Sequence, residues 1–329
     1  MADTREVLLE VSNLCKWFPL KSGFLEGMKG QQKYLKAVND ISFRIYRGEN
    51  LGLVGESGCG KSTLARTLLR LYEPTSGTIR IGGTDISHLK GEALRKIRPQ
   101  MQMIFQDPYS SLNPRMSVYD TVAEMLKVHK MVPPDQIPAR VEELLTMSGL
   151  GMDVAQRFPG EFSGGQRQRI GIARALALSP KFIVADEPVS ALDVSIQAQI
   201  INLLSQLQKE LDLTILFISH DLQVVHHITH RVMVMYLGSN VETGPTEEIF
   251  AHPAHPYTQV LTKAAPKLDP RDRTREYTIE GEPPSPIDVP SGCKFHPRCP
   301  YCTDKCRQEE PAIRAIAMDH LCACHHPLV

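Results

Sequence analysis

The sequence predicts an α/β protein whose mainly parallel sheet is covered by helices on both faces. Three observations lead there. Short apolar runs of the kind that form buried strands alternate with stretches of helical period up to about residue 250. A glycine-rich turn at 55–60 joins one of those strands directly to a helix. Beyond 250 the pattern stops, and ten of the 24 prolines and six of the eight cysteines fall in the last 64 residues.

Taken in order, Val7–Val11 and the alternating stretch Val38–Ile45 read as strands, joined by a polar connection carrying Gly23, Gly27 and Gly30. Leu51–Val54 is an apolar strand, and a helical pattern runs from Lys61 to about Leu71. A strand at Met101–Phe105 leads into a mixed region whose periodic stretches, Val118–Val128 and Ile137–Met147, read as helices separated by Pro133-Pro134. A helix follows Ser163 to about Leu178. Strand Phe182–Ala185, helix Ile196–Leu211 and strands Thr214–Ile218 and Val232–Met235 complete the alternation. The expected division is a core of residues 1–106 and 181–250, a helical subdomain at 107–180 and a small cysteine-rich unit at 251–329, with its boundary inside 251–270.

Composition bounds what such a chain can do. Its 329 residues, 42% hydrophobic, allow two or three domains with a real core. Thirty-seven basic side chains balance 37 acidic ones, so there is no basic excess of the kind that marks a nucleic-acid partner. The longest apolar run, Val232–Leu237, is six residues, against the roughly 18 needed to cross a bilayer. The first residues show neither a basic stretch nor an apolar core of a secretory signal, so a cytoplasmic location is expected. In that reducing compartment, six cysteines between Cys293 and Cys324 point to metal binding before disulfides.

Gly55-Glu56-Ser57-Gly58-Cys59-Gly60-Lys61-Ser62, with Thr63 following, matches the phosphate-loop pattern in its required place between strand and helix. Glycines let successive N–H groups turn inward onto phosphate oxygens, and the helix N-terminus adds positive character. Lys61 reaches the β- and γ-phosphates of ATP, and Ser62 holds Mg²⁺. The same helix N-terminus favours the thiolate of Cys59. Downstream, a buried strand ends on Asp186-Glu187, where Asp186 would join the Mg²⁺ shell and Glu187 would polarise the attacking water.

Between these lies Phe162-Ser163-Gly164-Gly165-Gln166. Phosphate loop, this element and Asp186-Glu187, in that order, resemble the ABC ATPases over about residues 7–250. Phe162 stands where the family usually has Leu, at an apolar packing position. The resemblance implies a P-loop ATPase core with a helical insert and further assignments. Gln106 is the glutamine that touches Mg²⁺ with Ser62 and Asp186, Asp193 is the acid of the D-loop Ser190-Ala191-Leu192-Asp193, and His220 contacts the γ-phosphate. Phe18 stacks on adenine, with Trp17 adjacent as the other candidate. It also implies that two cassettes pair head to tail, so that Ser163, Gly164, Gly165 and Gln166 serve the partner's nucleotide.

His252-Pro253-Ala254-His255-Pro256-Tyr257-Thr258 and Gly292-Cys293-Lys294-Phe295-His296-Pro297-Arg298-Cys299 resemble the dipeptide and oligopeptide permease ATPases, nearest to their F-type subunit. That resemblance implies a peptide importer of two permease subunits, a second, paralogous ATPase and an extracytoplasmic binding protein. The chain would then lie peripherally on the cytoplasmic side of the inner membrane. Nickel, glutathione and antimicrobial-peptide systems share these motifs, and a soluble ABC protein with a metal- or redox-sensing tail is the remaining alternative. The resemblance places a [4Fe–4S] cluster on Cys293, Cys299, Cys306 and Cys324. The residues alone also allow a zinc site on Cys299, Cys302, Cys322 and Cys324.

Overall fold

The computed structural model describes residues 5–20, 32–264 and 281–329. The connection with Gly23, Gly27 and Gly30, and the part of the expected boundary from 265 onward, lie outside the described residues. In chain order the strands are β1 (Val7–Pro19), β2 (Tyr34–Tyr46), β3 (Asn50–Val54), β4 (Ser76–Ile81), β5 (Thr84–Asp85), β6 (Met101–Ile104), β7 (Phe182–Asp186), β8 (Thr214–Ile218), β9 (Arg231–Tyr236), β10 (Ser239–Pro245), β11 (Arg314–Ala317) and β12 (His320–Cys322). The helices are α1 (Lys61–Leu68), α2 (Gly91–Ile97), α3 (Pro108–Ser111), α4 (Val118–His129), α5 (Ile137–Met147), α6 (Gly164–Leu176), α7 (Val194–Glu210), α8 (Leu222–Ile228), α9 (Thr246–Ala251), α10 (Pro256–Ala264) and α11 (Asp304–Gln308). They form two units, one of Met1–Leu8, Ile45–Asn50 and Leu89–Ser219, the other of Leu9–Arg44, Leu51–His88 and His220–Val329.

In the first unit β6, β7 and β8 are parallel, with Met101 opposite Phe182 and Phe182 opposite Thr214. Parallel neighbours need a long crossover, and α7 supplies it between β7 and β8. Every residue of β7 and β8 is buried, as strands with continuous apolar runs must be when both faces are covered. The helices α4, α5 and α6 pack on one another. Val118, Thr121, Val122, Ala123 and Leu126 form the buried stripe of α4. Its start is fixed by Ser117, whose hydroxyl accepts the Asp120 N–H at 3.0 Å.

The second unit corrects the expectation of a mainly parallel sheet, because its pairing is mostly antiparallel. One sheet runs β2-β1-β4-β5, with β4 antiparallel to both β1 and β5. In the other ladder β3 and β9 are parallel, whereas β9-β10, β10-β12 and β12-β11 are antiparallel. The cause is local. Leu237 and Gly238 both have positive φ, 41° and 77°, which closes a two-residue hairpin between β9 and β10.

Glu242, on β10, is fully buried and accepts N–H groups from Ala254 at 2.8 Å and His255 at 2.9 Å, while His320 Nε2 lies 2.7 Å away. One carboxylate thus holds the chain after β10 and the last strand together. His255 is also buried, and burial lowers its pKa to about 4, an effect the nearby Glu242 charge only partly opposes. Its Nδ1 accepts the Tyr257 N–H at 3.0 Å, a bond that needs this nitrogen unprotonated. Because the folded-state pKa is depressed, the His255 contribution is complete above pH about 6.5 and is lost as pH falls toward 4. Glu242→Ala strands three buried polar partners and is expected to cost about 3 kcal/mol, read as a lower urea midpoint at pH 7.5. Glu242→Gln should cost less.

Candidate nucleotide site

The phosphate loop lies in the second unit, between fully buried β3 and the first turn of α1. Gly55 and Gly60 have φ of 150° and 108°. A Cβ at Gly55 would stand 2.2 Å from the Met235 carbonyl oxygen, and one at Gly60 2.0 Å from that of Ala37. Both clashes are with backbone, so neither position admits a side chain. Lys61 is buried, and its amine donates to the carbonyls of Gly55 and Glu56 at 2.6 and 3.0 Å. It therefore stands at the mouth of the loop, able to exchange carbonyls for phosphate oxygens.

Cys59 departs from expectation. The residue is 5% exposed, and burial raises the pKa of its thiol above the usual range despite the opposing effect of Lys61. Desolvation outweighs the helix N-terminus, so the thiolate is not favoured. At pH 7.5 a maleimide should modify Cys59 at least about tenfold more slowly than glutathione, and the rate should still be rising above pH 9. Counting labelled peptides by mass spectrometry checks this, with ATP expected to slow the reaction further.

His220 and Phe18 also belong to the second unit. His220 lines a cleft of about 380 Å³ with Val54, Gly55, Asp221, Leu261 and Ala264, which brings it beside the start of the phosphate loop. Phe18 packs edge-on against Tyr72 with ring centres 5.5 Å apart, and the Lys16 amine lies 4.8 Å above it. Trp17 instead tilts against Tyr34 at 6.2 Å.

The first unit carries Gln106, Asp186, Glu187, Asp193 and the Ser163-Gly164-Gly165-Gln166 element. Asp186 ends β7 and is 3% exposed. Glu187 follows with φ of 47°, a left-handed conformation rare for glutamate, and its N–H is held by the Ile218 carbonyl at 2.9 Å. Strain of this kind persists where surrounding structure enforces it, commonly at functional sites. The Gln106 amide donates to Glu187 Oε2 at 2.9 Å, so the structure brings together two of the expected catalytic side chains. Ser163 caps α6 in a reciprocal box, its hydroxyl accepting the Gln166 N–H at 3.3 Å while Gln166 Oε1 accepts the Ser163 N–H at 3.1 Å. A Cβ on Gly165 would reach 2.4 Å from Ile196 Cγ2, so glycine there lets α6 approach α7 closely. Phe162 is buried under the Arg157 guanidinium, as its packing position implied. Asp193 caps α7, and the Ile196 N–H and Ser195 hydroxyl at 3.0 and 2.8 Å hold its carboxyl below the usual range.

Cys293, Cys299, Cys306 and Cys324 line one small cavity beside His255 and Phe295, whereas Cys302 and Cys322 do not line it. Burial pushes the Cys293 and Cys299 thiols up to about 11, and the neighbouring cysteines add to the shift. Among the described residues no group of three or more His, Cys, Asp or Glu side chains is arranged to hold a single metal ion.

Two residues outside these expectations grip the phosphate loop. The Tyr257 hydroxyl accepts the Glu56 N–H at 2.8 Å, and Arg298 forks onto the Glu56 carboxylate at 2.8 and 3.0 Å. Both sit in stretches that the sequence marks as motifs, but no spacing rule connects residues 242 positions apart.

A family model described as ABC transporter matches residues 38–190, and one described as the oligopeptide/dipeptide transporter C-terminal region matches residues 241–306. The chain is 51% identical over 320 residues to a probable peptide ABC transporter ATP-binding protein, y4tS, of Sinorhizobium fredii, spanning 97% of this chain and 90% of that one. It is 50% identical to the oligopeptide transport ATP-binding protein AppF of Bacillus subtilis, covering 98% of each. It is 48% identical to OppF of Salmonella typhimurium, covering 98% and 97%. Among solved structures, the ATP-binding cassette MJ0796, a dimer in a post-hydrolysis state with ADP and Pi, superposes with a TM-score of 0.63 at 29% identity. That match covers 73% of this chain and 99% of the other. CbiO1 of Clostridium perfringens, part of the transporter complex cbiONQ, gives 0.63 at 30% identity, covering 75% and 91%. The fold, the phosphate loop in its strand-to-helix setting and these likenesses agree: the chain belongs to the ABC transporter ATPases, among the ATP-binding subunits of the oligopeptide/dipeptide transporter family.

Proposed function

We propose that this chain is the ATP-hydrolysing subunit of an importer for dipeptides or oligopeptides. The observation that carries the cargo class is the match of residues 241–306 to the oligopeptide/dipeptide C-terminal region, which lies beyond the stretch 38–190 matched by the general ABC transporter model. The chain would work with two permease subunits, an extracytoplasmic binding protein and a second, paralogous ATPase, peripheral to the membrane. No described helix is long and apolar enough to cross a bilayer. In the division of labour we propose, 1–106 and 181–250 bind and hydrolyse ATP, 107–180 meets the permease, and 251–329 is an appended cysteine-rich unit.

The chemistry follows from the side chains. The backbone N–H groups along residues 57–63 and the Lys61 amine bind the phosphates, with Gly55 and Glu56 shaping the start of the loop, and Phe18 stacks on adenine. A hydroxyl, an amide oxygen and a carboxylate, from Ser62, Gln106 and Asp186, are hard oxygen donors that suit Mg²⁺. Bound there, Mg²⁺ would neutralise charge on the β- and γ-phosphates. Glu187 takes the proton from the attacking water, with the Gln106 amide orienting it, and His220 senses the γ-phosphate. Ser163, Gly164, Gly165 and Gln166 act on the nucleotide of the partner cassette, with Asp193 in the loop beside them. Glu187→Gln keeps the shape and the Gln106 contact but cannot accept a proton. It should lower kcat of the assembled transporter by about 100-fold or more while ATP stays bound. A phosphate-release assay with wild-type turnover would overturn the assignment.

We further propose that Cys293, Cys299, Cys306 and Cys324 hold a [4Fe–4S] cluster that braces the proline-rich tail. What supports this is the donor set, four thiols around one cavity with the other two tail cysteines apart from it. A single zinc needs four ligand atoms gathered about one point with bonds of about 2.3 Å, which favours a cluster over the alternative set that includes Cys302 and Cys322. Protein purified without oxygen should be brown and bleach with dithionite. It should carry iron and acid-labile sulfide at about four each per chain. Colourless protein with one zinc and no sulfide would refute the cluster.

A further inference from the structure

The phosphate loop contains an acidic side chain. Glu56 is its second residue, so a carboxylate sits in a loop whose task is to receive a polyphosphate. The loop's own cation does not neutralise it, because Lys61 is engaged with the backbone carbonyls of Gly55 and Glu56. The partner is Arg298, whose two terminal nitrogens meet the two Glu56 oxygens at 2.8 and 3.0 Å. Its side chain is 6% exposed against 24% for Glu56, so solvent screens the pair only partly.

Arg298 reaches this place because the tail is packed there. It ends the 3₁₀ turn His296–Arg298, directly before Cys299, and its N–H donates to the Phe295 carbonyl at 3.0 Å. Phe295 is buried, edge-on to Tyr236 at 5.3 Å and tilted against Tyr257 at 5.4 Å. Tyr257 in turn accepts the Glu56 N–H. The loop is thus gripped at both the backbone and the carboxylate of one residue, by groups that follow the cassette in sequence.

We propose that Arg298 is a positioning residue of the nucleotide site: by neutralising Glu56 it lets the phosphate loop accept a polyphosphate, which makes nucleotide affinity depend on the cysteine-bearing tail. This rests on the reading of 55–62 as the ATP phosphate loop. Without the guanidinium, an uncompensated carboxylate remains in the loop that receives the anion, and the repulsion acts on binding rather than on the proton transfer at Glu187.

The test uses the intact chain and a fluorescent trinitrophenyl-ATP titration, with KM and kcat for ATP measured in the assembled transporter. Arg298→Gln keeps polarity and bulk without the charge, and should raise Kd and KM about tenfold while kcat at saturating ATP changes less than about twofold. Arg298→Lys keeps the charge and should stay within about threefold of wild type. The deciding variant is Arg298→Gln with Glu56→Gln, in which removal of the acid should restore Kd to within about twofold of wild type. An arginine that only shapes the tail would lower the melting temperature and leave the double variant no better than the single one, and that result overturns the proposal, as does wild-type affinity in Arg298→Gln. Should Arg298→Gln not fold, Glu56→Gln alone decides: affinity that falls, rather than holding or rising, refutes the charge argument. Lys61→Ala separates the two readings, since retained binding there would refute the phosphate loop itself.

Discussion

A phosphate loop cannot hold its own shape, and much of the second unit follows from that constraint. Most of its N–H groups are needed for an anion, so bonds within the loop, such as that from the Cys59 N–H to the Glu56 carbonyl at 3.3 Å, do not by themselves fix it. The loop is also held from outside. The Met235 and Ala37 carbonyls close on Gly55 and Gly60, the Gly238 N–H donates to the Cys59 carbonyl at 2.9 Å, and Tyr257 and Arg298 hold Glu56. The hairpin of β9 and β10 supplies two of these supports, and the chain beyond β10 supplies two more.

That dependence explains why so many polar groups are buried after residue 240. Glu242, His255 and His320 form a dry cluster with every carboxylate oxygen engaged, and Tyr236, Tyr257 and Phe295 pack beside it. Such a cluster is costly when incomplete and rigid when satisfied. It gives a proline-rich stretch of little apolar periodicity a definite place on the last strands of the sheet, and it carries Arg298 and the four cysteines with it.

In the first unit, residues named for chemistry also do local structural work. Ser163 and Asp193 are helix caps, so the hydroxyl and the carboxylate proposed to serve the nucleotide are each held by the backbone they terminate. Glu187 is held differently, by a left-handed backbone locked through Ile218 and by the Gln106 amide.

Local pattern carried a large part of this structure. The strands expected at 51–54, 182–185 and 214–218 and the helices expected to begin near 61, 118, 137 and 164 stand where periodicity put them, with ends shifted by up to three residues, because burial and caps are encoded within a few residues. Gly82-Gly83 and Leu237-Gly238, all with positive φ, close the β4–β5 and β9–β10 hairpins, and these turns reverse the chain where apolar alternation suggests only separate strands. The sheet therefore looked more parallel than it is. Cys59 shows the limit of local electrostatics: the helix terminus was visible, but the burial that outweighs it is a property of packing. The grip of Tyr257 and Arg298 on Glu56 was decided by tertiary structure alone, since hydrogen bonds spanning 201 and 242 positions leave no period, cap or turn in the chain to announce them.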